Sequence, residues 1–154
     1  MKITILSIGK MKEPYSGLSS VYEKRIKKGN NFLVKELVPK KKLRDEQQRD
    51  AENALILSEL AKASSSSFII ALDKEGVFIT SEKFAAHFEA WGNQSKELVF
   101  LIGGSMGLSK EILAKSHLKL SFSKMTFPHM LFRVMLEEQI YRALSILSNE
   151  PYHK

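Results

Sequence analysis

The chain has 154 residues, no cysteine and a formal net charge of +7. The missing cysteines exclude disulfides, thiolate nucleophiles and cysteine-ligated zinc or iron–sulfur centres, and no apolar run approaches the roughly 18 residues that a bilayer-spanning helix needs. The charge excess lies wholly in residues 1–50, with 13 Lys/Arg against 6 Asp/Glu, whereas residues 51–154 hold 11 of each.

KITILSIG (2–9) is a short β-branched apolar run closed by Gly9, which predicts a buried strand. Its apolar part is too short for a signal peptide, so a cytoplasmic protein is expected. Residues 14–28 carry Leu18, Val21, Tyr22 and Ile26 at helical spacing, with Pro14 at the start and Gly29-Asn30 as the stop. NFLVKELV (31–38) reads as a second strand, and Pro39 with the basic run behind it as a loop. Residues 44–63 read as a helix whose first two turns are heavily charged.

After SSSS (64–67), FIIALD (68–73) predicts a strand, and Gly76 a turn. Thr80 is placed to cap a helix that presents Phe84, Ala85, Phe88 and Trp91 on one face and ends at Gly92-Asn93. ELVFLIGG (97–104) is another buried strand, running into glycines. A short helix over 109–116, capped by Ser109, and a strand over 117–123 follow. From Pro128 the helical period returns, with Phe132, Leu136, Ile140, Leu144 and Leu147 as one stripe and Arg133, Glu137, Glu138 and Arg142 on polar faces. Glu138 and Arg142, four apart, are expected to pair along the helix.

Strands thus alternate with helices, which predicts an α/β fold with a mostly parallel sheet covered on both faces. There is no internal repeat and no domain boundary, so one domain is expected over residues 1–154. Such sheets bind ligands outside the carboxyl ends of their strands. Leu72 and Asp73, Gly103 and Gly104, and the segment 122–127 should meet at that edge. The glycine block LIGGSMG (101–107) matches neither the dinucleotide fingerprint nor the phosphate loop. His129 follows Pro128 at a helix start, where exposed N–H groups favour an anion, and Arg133 lies one turn on. Tyr152 and His153 read, on pattern alone, as an ordinary polar end. The four histidines lack metal-ligand spacing, so no metal is expected.

The stretches MKITILSIGKMK, LVFLIGGSMGL (98–108), SFSKMTFPHMLFRVMLEEQIYRA (121–143) and PYHK (151–154) resemble, together, the bacterial 23S rRNA (pseudouridine1915-N3)-methyltransferases of the SPOUT class. The resemblance spans the whole chain. It implies an α/β fold with a C-terminal deep trefoil knot and S-adenosyl-L-methionine as cofactor. It also implies a homodimer with the site near the interface, and action late, on 23S rRNA in the assembled 70S ribosome. Carried over, Leu72, Gly103, Phe122, Ser123, Lys124, Met125, Thr126 and Phe127 would bind the cofactor, and His129, Arg133, Tyr152 and His153 would serve catalysis. The knot lies outside what pattern rules produce, since chains almost never thread.

Two other classes remain open from the residues alone. A basic, non-catalytic RNA-binding module would explain the charged half but not the strand-end glycines. A nucleotide-dependent oxidoreductase would fit the α/β order but lacks its fingerprint.

Overall fold

A computed structural model describes residues 1–153. Lys154, the last residue of the PYHK run, lies outside them. The elements alternate as expected: β1 (Lys2–Ile8), α1 (Tyr15–Lys27), β2 (Asn31–Leu37), α2 (Asp45–Leu60), β3 (Ser67–Val77), α3 (Ser81–Gln94), β4 (Glu97–Ile102), α4 (Lys110–Lys115), β5 (Leu118–Leu120) and α5 (His129–Leu147). Among the described residues the strands form one sheet in the order β2-β1-β4-β3-β5, every pairing parallel.

Alternation along the strands sorts the core into two layers. Ile3, Ile5, Leu98, Phe100, Ile102 and Ile70 pack with Ile26 of α1, Phe84 and Phe88 of α3, and Leu136, Ile140 and Ala143 of α5. Leu6, Ile8, Val99, Leu101 and Ala71 turn the other way, onto Ile56 of α2 and Ile112 of α4. Both faces of the central strands are therefore dry, which is why β4 buries all six of its residues. Among the described residues no helix is long and apolar enough to cross a membrane.

Local chemistry accounts for the helix starts. Thr80 accepts a hydrogen bond from the Lys83 N–H at 3.2 Å, and Ser109 accepts from Ile112 N–H at 3.3 Å, so both predicted caps form. At the far end of α5 the Asn149 backbone turns left-handed (φ +55) and sends the tail back along the helix.

Two expectations change. Gly76 does not end β3, which continues to Val77 after a register shift past Leu72. A Cβ at Gly76 would fall 2.6 Å from the Lys119 carbonyl group, so glycine lets β3 close onto β5 rather than turn away. On α5, Arg133 and Glu137 are not on a polar face: they are 5% and 0% exposed. The helix packs against both α1 and α3, so its buried arc is wider than one apolar stripe.

Candidate active site

Because β3 lies between β4 and β5, the loops leaving their carboxyl ends are neighbours. They enclose a cleft of about 740 Å³. Leu72, Asp73 and Lys74 come from β3, Ile102 and residues 103–108 from β4, and residues 120–123 and 125–129 from the end of β5 to the start of α5. The three strand ends expected to converge do so.

The glycine block is shaped by close backbone approach. The Gly107 N–H donates to the Gly104 carbonyl at 3.0 Å, and Gly107 sits at φ +74. A Cβ at Gly103 would come within 2.9 Å of the Gly107 carbonyl carbon, so the tight fold-back of this loop requires glycine there. Beneath it, α2 supplies two buried polar residues. Asn53 Oδ1 accepts from the Ser109 N–H at 2.8 Å, and the Glu52 carboxylate lies against Gly104. Sequence reasoning missed both residues. Their only signal was polarity at positions that face inward on a helix.

The β5–α5 loop holds its own shape. Ser121 Oγ donates to the Ser123 carbonyl at 3.1 Å, and the Met125 N–H donates to Ser123 Oγ at 3.0 Å. The Phe122 ring packs 5.0 Å from the Phe132 ring. Seven of the eight expected cofactor residues line the cleft: Leu72, Gly103, Phe122, Ser123, Met125, Thr126 and Phe127. Lys124 does not. Its ammonium lies 3.5 Å from Glu75 and over the Phe78 ring.

The four expected catalytic residues separate into three places. His129 lines the cleft, its Nε2 edge packed against Gly9 at the end of β1. Arg133 is buried next door, with Nε 2.9 Å from Glu137, NH1 2.7 Å from Glu36, and NH2 3.3 Å from Glu23 and 3.4 Å from Ser19. Burial lowers the Arg133 pKa, but Glu36 and Glu137 outweigh it and raise it above the ordinary value. Burial likewise pushes Glu137 up to about 6 against the pull of Arg133. Burial would also raise Glu36, yet Arg133 and the Met11 N–H hold its carboxyl below the usual range. Since Glu36 also accepts from Met11 N–H at 3.0 Å, it fastens the β1–α1 loop to the second turn of α5.

Tyr152 and His153 lie on the other side of α5. Tyr152 donates to Glu138 at 3.0 Å and packs its ring 4.7 Å from Tyr141. Burial, then Tyr22 and Glu138, raise the Tyr152 pKa, so it stays a donor. His153 joins Arg142 through Nδ1 and Glu82 through Nε2, each at 3.0 Å. The expected Glu138–Arg142 pair forms and anchors this tail. The tail is thus docked rather than frayed, but it does not reach the cleft. A second cavity, about 580 Å³, opens beside Glu138 and Arg142 and shares Leu120, Ser121 and Phe122 with the first.

Residues 1–153 match a family described as predicted SPOUT methyltransferases. The chain is 45% identical to ribosomal RNA large subunit methyltransferase H 1 of Clostridium perfringens (strain SM101 / Type A), over 100% of both chains. It is 45% identical to ribosomal RNA large subunit methyltransferase H of Clostridium botulinum (strain Langeland / NCTC 10281 / Type F), again over 100% of both. Among solved structures, a probable methylase family protein from Haemophilus influenzae Rd KW20 superposes with a TM-score of 0.56 at 14% identity, covering 99% of this chain and 70% of that one. At that identity the likeness concerns the fold alone.

Proposed function

The chain belongs to the SPOUT methyltransferase family, and from that premise we propose that it transfers a methyl group from S-adenosyl-L-methionine to N3 of pseudouridine 1915 of 23S rRNA in the assembled ribosome. In this reading one SPOUT domain spans residues 1–154, its C-terminal part is threaded as a trefoil knot, and the enzyme works as a cytoplasmic homodimer. The observation that carries the reading is the cleft itself, which is lined together by the glycine block, the β3 end, residues 122, 123 and 125–127, and His129.

The residues present suit the cofactor. Leu72, Ile102, Phe122 and Phe127 offer apolar walls for a purine, and loop backbone at Gly103 and in 122–127 offers donors and acceptors for its edge. When bound, S-adenosyl-L-methionine supplies a methyl carbon that its sulfonium already makes electrophilic. What the protein adds is alignment and the removal of one proton. Methylation at N3 would require the N3 proton to leave. We assign it to His129, directly or through one water, because His129 lines the cleft. Arg133, with its nitrogens already engaged by carboxylates, acts by holding α5 against the β1–α1 loop rather than by gripping phosphate. Tyr152 and His153 lie off this protomer's cleft, so a part in the chemistry would bring them to the other protomer's cleft of the homodimer.

The test pairs calorimetry with rate measurement. Wild type and His129→Ala should both bind S-adenosyl-L-methionine, while His129→Ala loses rate by about 10² to 10⁴ and with it the base limb of the pH–rate profile. No cofactor heat in the wild type would point to the plain RNA-binding reading. An unchanged rate in His129→Ala would remove His129 as the base.

A further inference from the structure

Sequence places KRIKK (24–28) and PKKKLR (39–44) together in one basic half, but the topology sends them to opposite ends of the sheet. Helix α1 leaves the carboxyl edge at Tyr15 and runs back to Lys27. There the chain re-enters at Asn31, whose N–H donates to the Met1 carbonyl at 3.0 Å and which pairs with Lys2. KRIKK therefore marks the amino edge, away from the cleft. Strand β2 runs the other way and ends at Leu37, opposite Ile8. The Gly9 N–H donates to the Leu37 carbonyl at 3.0 Å, so loop 38–44 leaves beside Gly9, the residue that touches His129.

Charge alone cannot separate the runs, because each contains three lysines and one arginine. Their engagement differs. In the first run Lys27 is paired with Glu23 at 2.9 Å and the Arg25 guanidinium lies over the Tyr22 and Tyr141 rings, which leaves only Lys24 and Lys28 exposed and outside any ion pair among the described residues. Lys40, Lys41, Lys42 and Arg44 are exposed and form no ion pair among the described residues, and the same holds for Lys10 and Lys12 on the adjoining loop. The acidic residues that follow, Asp45 and Glu46, occupy the first turn of α2, where they answer the helix dipole. The loop is also held near its far end, since the Leu43 N–H donates to Gln48 Oε1 at 2.9 Å.

We infer that loop 38–44, with Lys10 and Lys12, is the surface that receives the RNA backbone next to the target nucleotide, and that the equally basic run at 24–28 takes no part. RNA helices are gripped mainly through phosphates, and ammonium groups beside the cleft would fix the strand while the nucleotide enters. This rests on the rRNA-methyltransferase reading above.

The experiment compares two charge-matched triple variants of the full chain. One carries Lys40→Gln, Lys41→Gln and Lys42→Gln; the other carries Lys24→Gln, Lys27→Gln and Lys28→Gln. Ribosome binding is measured across a salt series, together with methyl incorporation and cofactor affinity, after thermal melts establish that both variants fold. The first variant should raise the ribosome Kd and KM on the order of tenfold and flatten the salt slope by about 0.7 per lost contact, with cofactor affinity unchanged. The second should stay within about twofold, since it removes no contact beside the target. Equal losses, or a larger loss in the 24–28 variant, would overturn the assignment. Edge-dependent binding without methyl transfer would leave this surface standing and sink the methyltransferase reading. Methyl transfer indifferent to both variants would do the reverse.

Discussion

At φ +90 Gly9 adopts a backbone conformation that any side chain would strain, and its bare α-carbon faces the Nε2 edge of His129. An added Cβ would stand 2.8 Å from that nitrogen. A side chain at the β1 end would therefore crowd the imidazole. Gly9→Ala should cost stability by about 1–2 kcal/mol through the backbone alone and should lower kcat at least tenfold, on the order of what a small misplacement of a catalytic group costs. Cofactor affinity should hold, since Gly9 does not line the cleft. Steady-state kinetics and a calorimetric titration check both; unchanged kcat would mean that Gly9 does not position His129. Sequence showed Gly9 only as a strand stop. Its contact with a histidine near the other end of the chain is a tertiary fact that no local pattern carries. The same holds for Glu36, whose link between Met11 and Arg133 spans three elements.

Helix α5 is the element where pattern reading was partly right. Leu136 and Ile140 of the predicted stripe are fully buried, and Phe132, Leu144 and Leu147 pack on the same core. Arg133 and Glu137 looked solvent-facing because charges usually are, yet α1 covers them and Glu23, Glu36 and Ser19 meet them. This buried cluster predicts a pH signature. The Glu137 carboxyl is raised from the ordinary 4.5 to about 6, mainly by burial. A raised acid contributes stability below its unfolded pKa and loses it as pH climbs through the folded one. The unfolding free energy of wild type minus that of Glu137→Gln should thus fall by about 2 kcal/mol from about pH 4 to about pH 7. Gln keeps a carbonyl for Arg133 Nε, so the fixed offset should be smaller than that of Glu137→Ala. Denaturant titrations at several pH values measure it, and a flat difference would show that Glu137 titrates normally.

For the whole molecule, the order of strands and helices was legible because each buried strand is a short apolar run and each helix shows its own period. The spatial order β2-β1-β4-β3-β5 was not legible, since periodicity says which face is buried but not which strand lies alongside. The cleft could be anticipated from the rule that ligands sit at carboxyl strand ends, and the structure brings Leu72, Gly103 and the 122–127 loop together there. The docked tail could not be anticipated from pattern. It depends on the left-handed Asn149 and on the Glu138–Arg142 pair catching Tyr152 and His153. Likewise the two basic runs read as one half until the topology placed them at opposite edges.

Methyl transfer to a single nucleotide is tested by mapping where the methyl group is placed. The protein is incubated with methyl-labelled S-adenosyl-L-methionine and ribosomes from a strain lacking the activity, and the labelled nucleotide is located in the rRNA. Label is expected at N3 of pseudouridine 1915 of 23S rRNA in assembled ribosomes, with little on free rRNA. Label on another nucleotide, or none from a protein that binds both cofactor and ribosome, would contradict methyl transfer to that nucleotide.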